Sequence, residues 1–351
     1  MAIQFFQSNE PFQLENGSTL HGLQIAYHTY GTLNQNRSNV VWVCHALTAN
    51  SDVVSWWPGL VGDGCVINPE EHFIVCANIL GSHYGTTGPL HNNTLTGLPH
   101  YQFFPQVTIR DLVKAHQLLA SYLGIKEISL LIGGSLGGQQ AQEWAIDQPE
   151  RIKNLVLLAT NARHSPWGIA FNESQRMAIY ADRTYYAGRD NGGAKGLSAA
   201  RSIALLSYRN YETYGKTQRE DSNEGTGSFK AAGYQRYQGK KMVDRFNAYS
   251  YIRLTQAMDS HNVGRNRGSI FEALSKITAK ALVIGIQSDV LFPVAEQQLL
   301  AQYIKNADYE EISSLYGHDG FLLETAQISQ LIGQHLNQTK QQEQLLTSDL
   351  I

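Results

Sequence analysis

The sequence of 351 residues predicts an α/β protein, with a mostly parallel, doubly wound sheet interrupted by an inserted helical segment. Two observations carry this reading. Short apolar runs recur with a capped helix between them, and several are apolar throughout, as strands are when helices cover both sheet faces. A long stretch of helical texture without a strong strand run then separates them from a last pair of strands.

The first runs are 23–30, Val40–Cys44, 73–78, 128–133 and 155–160. Before the fourth, Thr108 and Asp111 form a capping-box start. Ile109, Leu112, Val113, His116, Leu119, Ala120 and Leu123 follow at helical spacing, and Gly124 stops the helix. Residues 139–146 predict a second helix. From about 165 to 275 helical stretches dominate, with Gly-rich breaks at 188–196 and 225–233, and ten of the 18 tyrosines fall here. A strand returns at 281–286, a weaker one follows at 309–313, and 326–335 reads as helix. The Gln-rich end from Gln338 is expected to fray. The division is therefore a core of 1–164 and 276–340, an inserted helical lid of 165–275 and a flexible tail of 341–351.

Composition narrows the classes. Lys and Arg number 27 and Asp and Glu 30, a net charge of −3. A nucleic-acid or anionic-membrane binder needs a clustered basic excess that is missing here. No apolar run is long enough to span a membrane, and the first residues lack the basic and apolar regions of a secretory signal. Cys44, Cys65 and Cys76 have no metal-ligand spacing and read as reduced thiols of a cytoplasmic protein.

The sharpest local feature is Gly133-Gly134-Ser135-Leu136-Gly137-Gly138. It holds Gly-x-Ser-x-Gly between a strand and a helix, the elbow that exposes a nucleophilic serine in the α/β-hydrolase fold. A serine hydroxyl needs a base, and in that fold the acid and then the histidine follow in the chain. His318, in a Gly-flanked loop after the last strand, is the best candidate. His335 reads as a surface residue of the terminal helix, His261 precedes the returning strand, and His164 comes too early. Asp289 lies at the C-terminal edge of the strand before His318 and would hold the imidazole in the correct tautomer. One oxyanion donor is the N–H of Leu136. The second is expected from the loop after Val40–Cys44, at Leu47 or Thr48, while His45 reads as a structural support for that loop. These residues suit an esterase, peptidase, thioesterase or acyltransferase equally well.

Several further words narrow the choice. His45-Ala46-Leu47-Thr48, Gly85-Thr86-Thr87-Gly88-Pro89, Thr108-Ile109-Arg110-Asp111, Ala170-Phe171-Asn172-Glu173-Ser174-Gln175-Arg176, Tyr237-Gln238-Gly239, Ala257-Met258-Asp259 and Gly317-His318-Asp319-Gly320-Phe321-Leu322 occur in this order. With the serine elbow, they resemble the homoserine O-acetyltransferases over about residues 10–335. The resemblance implies a ping-pong route in which Ser135 takes an acetyl group from acetyl-CoA and passes it to the hydroxyl of L-homoserine, a step of methionine biosynthesis. It implies acetyl-CoA as co-substrate, no permanently bound cofactor and no metal. It also implies substrate contacts at Arg201, Tyr208 and Asp319 and a homodimer packed through the lid. Of the two loop candidates, Leu47 is taken as the second oxyanion donor and Thr48 as a substrate contact. A guanidinium suits the amino-acid carboxylate and a carboxylate its ammonium.

The sequence departs from the family at Leu136 and Gln139, at Ala49-Asn50, at Gly320 and over Gly81-Ser82-His83-Tyr84, positions expected to line the pocket. A homoserine O-succinyltransferase, a serine O-acyltransferase and a small-acyl esterase of the same fold are the rival readings. A non-catalytic binding module is disfavoured because Ser135, Asp289 and His318 are all present.

Overall fold

The computed structural model describes residues 2–222 and 226–348. The strands are β1 Gln4–Gln7, β2 Phe12–Gln13, β3 Thr19–Leu20, β4 Gln24–Tyr30, β5 Val40–Cys44, β6 Phe73–Ala77, β7 Ile128–Gly134, β8 Ile152–Leu158, β9 Lys280–Ile286 and β10 Ala307–Ile312. Among the described residues, eight form one sheet in the order β1-β4-β6-β5-β7-β8-β9-β10, and β2 and β3 form a separate hairpin. β1 and β4 are antiparallel to their neighbours, and the pairings from β6 to β10 are parallel.

Alternation along the strands divides the core between the two faces. Trp42, Leu131, Leu155 and Val283 face one apolar cluster, where Trp42 and Trp144 lie 4.9 Å apart edge to face. Val43, Ile132, Val156 and Ile284 face the other, with Trp57 and Phe321. Both faces are buried, which explains the continuous apolar runs.

The helices are α1 Val53–Trp56, α2 Ile109–Tyr122, α3 Leu136–Asp147, α4 Pro166–Ala181, α5 Ala194–Tyr208, α6 Tyr211–Thr217, α7 Lys230–Val243, α8 Ala248–Asp259, α9 Ile270–Leu274, α10 Val294–Tyr303, α11 Gly320–Leu323 and α12 Thr325–Ser348. α2 starts as expected: Thr108 accepts from the Asp111 N–H, and the Asp111 carboxylate accepts from the Thr108 N–H at 2.9 Å. Between β8 and β9 the chain holds α4 to α9 and no named strand among the described residues.

Four sequence expectations shift. The run expected at 155–160 is β8, which starts at Ile152 and ends at Leu158, leaving Thr160 outside the ladder. Gly196 does not break the chain but lies within α5, because a Cβ there would stand 2.5 Å from the Ile179 Cα of α4. The break expected at 225–233 is also shorter: α7 begins at Lys230 and runs through Gly233, and Gly225 lies outside the described residues. The last helix continues past Gln338 to Ser348, and 349–351 lie outside the described residues.

Registers align the strand ends that carry chemistry. Cys44 pairs with Gly133, Gly134 with Leu158, and Leu158 with Ile284. The loops leaving β5, β7, β9 and β10 therefore open at one edge, the carboxyl end where open α/β sheets bind ligands.

Candidate active site

Ser135 follows β7 with φ +56° and ψ −126°, a conformation that non-glycine residues rarely adopt. Its neighbours show why the motif needs glycine. A Cβ on Gly133 would meet the Gly137 carbonyl at 2.3 Å, and one on Gly137 would meet the Cys44 carbonyl oxygen at 2.1 Å. The elbow is thus wedged between its own helix and the end of β5. The Ser135 N–H donates to the Leu158 carbonyl at 3.0 Å, and the Thr160 hydroxyl donates to the Ser135 carbonyl at 2.8 Å.

The three residues chosen from chain order meet here. His318 Nε2 lies 2.9 Å from Ser135 Oγ, and His318 Nδ1 lies 2.6 Å from Asp289 Oδ2. Asp289 Oδ1 accepts the Leu291 and Phe292 N–H groups at 2.8 and 2.9 Å. The carboxylate is therefore oriented by the backbone as well as by the imidazole. Phe292 stacks on the His318 ring at 5.0 Å, and Phe321 and Tyr208 flank it at 5.3 and 5.8 Å. All three triad residues are buried.

Leu136 is the first residue of α3, so its N–H has no intrahelical acceptor. Across from it, the loop after β5 is held at several points. Gln140 Nε2 donates to the His45 carbonyl at 3.1 Å, and His45 Nδ1 lies 2.8 Å from the Ala46 carbonyl oxygen. The Ile79 N–H donates to His45 Nε2 at 3.1 Å. His45 therefore donates through Nδ1 and supports the loop, and full burial pushes its pKa down to about 4.

A cavity of about 420 Å³ opens over Ser135 and His318. Leu47, Thr48, Arg201, Tyr208 and Asp319 all line it, with Ala46, Ala49, Asn50, Trp56, Tyr84, Arg245, Phe321 and Leu322. The Arg201 guanidinium lies 5.3 Å from the Tyr208 ring centre. Among the described residues no carboxylate comes within 4.0 Å of it, so the charge is free for a ligand. Burial raises the Asp319 carboxyl above the usual range, opposed by Arg209 and Arg201. Burial likewise raises the Tyr208 phenol. Among the described residues, no group of three or more His, Cys, Asp or Glu side chains is arranged to hold a metal ion.

Three histidines rejected as the base lie away from the serine. His261 is buried with Nε2 3.0 Å from the Asn161 carbonyl oxygen, and His164 is buried beside Asn172. His335 is not the surface residue its helix suggested. It is 5% exposed and sits 3.5 Å from Asp308, because α12 packs against β9 and the edge strand β10. Of the departures from the family pattern, Ala49, Asn50 and Tyr84 line the cavity. Gln139 does not reach it; its side chain is buried and donates to Asn161 at 3.0 Å.

Two arginines that contact cavity residues escaped the sequence reading. Arg209 pairs with Asp319 at 3.0 Å, and its place directly after Tyr208 was the only signal. Arg245 contacts Thr48 from 197 residues away, and nothing local distinguishes it from a solvated arginine.

An alpha/beta hydrolase fold family model matches residues 39–325. A homoserine O-acetyltransferase of Cyclobacterium marinum is 45% identical over 332 residues, spanning 95% of this chain and 94% of its own. The chain belongs to the homoserine O-acetyltransferase family. The crystal structure of a Bacillus anthracis homoserine O-acetyltransferase superposes with a TM-score of 0.90 at 25% identity, covering 96% of this chain and 97% of the other. An esterase, E22, superposes with a TM-score of 0.88 at 23% identity, covering 95% and 99%, and shares the fold. The fold alone thus does not choose between water and an alcohol as acyl acceptor.

Proposed function

We propose that the protein moves an acetyl group from acetyl-CoA to the side-chain hydroxyl of L-homoserine through an acyl-serine, in the cytoplasm and as a step of methionine biosynthesis. The observation that carries this is the Ser135–His318–Asp289 relay opening into a cavity lined by Arg201, which has no carboxylate partner among the described residues, and by the half-buried Asp319 carboxylate. Ser135 Oγ attacks the thioester carbonyl while His318 Nε2 takes its proton. The N–H groups of Leu136 and Leu47 receive the developing oxyanion. The carbon–sulfur bond breaks, and the thiol leaves with the proton from His318. L-homoserine then enters, with Arg201 and Tyr208 at its carboxylate, Asp319 at its ammonium and Thr48 beside it. His318 takes the hydroxyl proton, the oxygen attacks the acyl carbon, and Ser135 regains its proton as the ester leaves. No resident cofactor or metal is needed for these steps.

Support for an alcohol acceptor comes from the cavity's charges. A ligand held at both its carboxylate and its ammonium displaces water from the acyl-serine and presents its hydroxyl to the base. Thiol release measured with acetyl-CoA or succinyl-CoA against L-homoserine, L-serine or water tests the reading. Release should be fastest with acetyl-CoA and L-homoserine. Equal release with no amino acid would make the protein a hydrolase, and a faster succinyl-CoA reaction would change the donor.

The residues 165–275 act in this reading as a lid over the cavity and as the contact of a homodimer. Exposed Trp167, Met177, Leu206, Tyr211 and Tyr237 in that segment support the contact. Sedimentation at micromolar concentration should show a dimer; monomer alone would contradict it.

A further inference from the structure

We infer that Arg245 is a positioning residue for the oxyanion loop, fixing from the helical insertion the backbone that presents the Leu47 N–H. This rests on the acyl-serine reading above. Arg245 lies between α7 and α8, and its Nη1 donates to the Thr48 carbonyl at 2.5 Å. Its Nη2 donates to the Thr48 hydroxyl at 3.1 Å. Tyr84 completes the arrangement: Arg245 Nη1 is 2.9 Å from its hydroxyl oxygen, and that hydroxyl reaches the Thr48 carbonyl at 3.4 Å. One guanidinium thus holds residue 48 by both backbone and side chain.

The geometry points to positioning because Leu47 is bracketed. On its N-terminal side the Ala46 carbonyl accepts from the Ala49 N–H at 3.1 Å and faces His45 Nδ1. The His45 carbonyl is tied to Gln140 of the nucleophile helix. On its C-terminal side the fixed point is Thr48, held by two Arg245 hydrogen bonds and a longer one from Tyr84. The core alone secures the first side, whereas on the second the shorter contacts to Thr48 come from the insertion. An oxyanion donor must be set before the charge develops, and a misplacement of about 1 Å can cost a hundredfold in rate.

Arg245 is also an unusual arginine. Among the described residues no carboxylate lies within ion-pair distance, and its hydrogen bonds all go to uncharged oxygens. A planar fork of donors suits two acceptors of one residue in a way that a lysine ammonium does not. The charge lines the same cavity as Ser135, so its field also favours the oxyanion.

The two half-reactions test this with Arg245→Ala and Arg245→Lys. Acetyl-enzyme formation from acetyl-CoA and its discharge by L-homoserine are followed separately by rapid quench and intact mass. Both pass through an oxyanion in the same hole, so both should slow by a similar factor of about 10 to 100. The KM for L-homoserine should stay within about threefold. Added guanidinium should restore part of the Arg245→Ala rate, and Arg245→Lys should recover less than the parent. Parental rates in both half-reactions would overturn the inference. So would a selective rise in the L-homoserine KM, which would make Arg245 a substrate ligand. Equal slowing of both variants with no response to guanidinium would mark a merely structural role and also overturn it. If the parent forms no acetyl-enzyme, the acyl-serine reading fails instead.

Discussion

Asp289 illustrates how one side chain's geometry sets its expected effect. One oxygen accepts two backbone N–H groups and the other faces His318 Nδ1. Asp289→Asn keeps the size but offers an amide to Nδ1–H, which favours the imidazole tautomer that cannot accept the Ser135 proton. The turnover number should fall about 10,000-fold with little change in KM, as steady-state kinetics would show. Arg201→Ala should act differently, raising the L-homoserine KM roughly tenfold or more while acetyl-enzyme formation stays near parental. Asp319 gives a pH signature. Burial raises its pKa, so on acidification it loses its charge at a higher pH than an ordinary carboxylate and, in the proposed role, would release the L-homoserine ammonium. Acetyl-enzyme discharge by L-homoserine, relative to discharge by an uncharged alcohol, should therefore fall as pH drops, because His318 cancels in the ratio. Asp319→Asn should flatten that ratio. The meeting of Ser135, His318 and Asp289 was legible because each has a fixed place at a strand end. Arg209 and Arg245 were not, because the contacts that define them join distant parts of the chain.

Most of the words behind the family resemblance are architectural at the level of elements. Asp111 caps α2 and also accepts the Glu15 N–H at 2.8 Å. Arg110 reaches Glu143 on α3 at 3.3 Å, where Arg267 also binds that carboxylate at 2.6 Å. Thr86 and Thr87 lock their loop onto β4, their hydroxyls accepting the Ala26 and Gln24 N–H groups at 2.9 and 2.8 Å. Asn172 and Arg176 of α4 both grip Asp259 of α8, at 2.8 and 2.6 Å. Asp259→Ala would leave Arg176, whose side chain is 7% exposed, without its inner partner. Stability should drop by about 3 kcal/mol in urea unfolding, a cost set by the stranded buried charge. The helix boundaries at α2 were readable from local capping. The α4–α8 clamp was visible only as spelling, since its partners are 83 and 87 residues apart.

At the scale of the molecule, the sheet was legible because its strands are apolar on both faces, and the insertion because its texture has no such runs. The depth to which histidines are buried was not. His45, His116, His164 and His261 have their pKa values pushed down by burial, to about 4, 3, 4 and 3. Above about pH 6.5 they are neutral in folded and unfolded chains alike and add no pH dependence. Below it the unfolded chain takes up protons that the folded chain refuses, so stability is lost as pH falls toward the folded values. The urea midpoint should therefore drop between about pH 7 and pH 5. His116 lies beside Trp42 and Trp144, and among the described residues neither of its ring nitrogens has a hydrogen-bond partner. His116→Leu should make that drop shallower, and an unchanged slope would contradict this account of acid sensitivity. Among the described residues no helix is long and apolar enough to cross a membrane.

The central claim is that Ser135 carries the acetyl group between two substrates. Its most direct test is the intact mass of the protein quenched after brief mixing with acetyl-CoA, followed by peptide mapping. One acetyl group should appear on Ser135, and L-homoserine should discharge it faster than water does, with O-acetylhomoserine as product. Rapid turnover with no acetyl-enzyme, or a Ser135→Ala protein that still transfers at the parental rate, would contradict it.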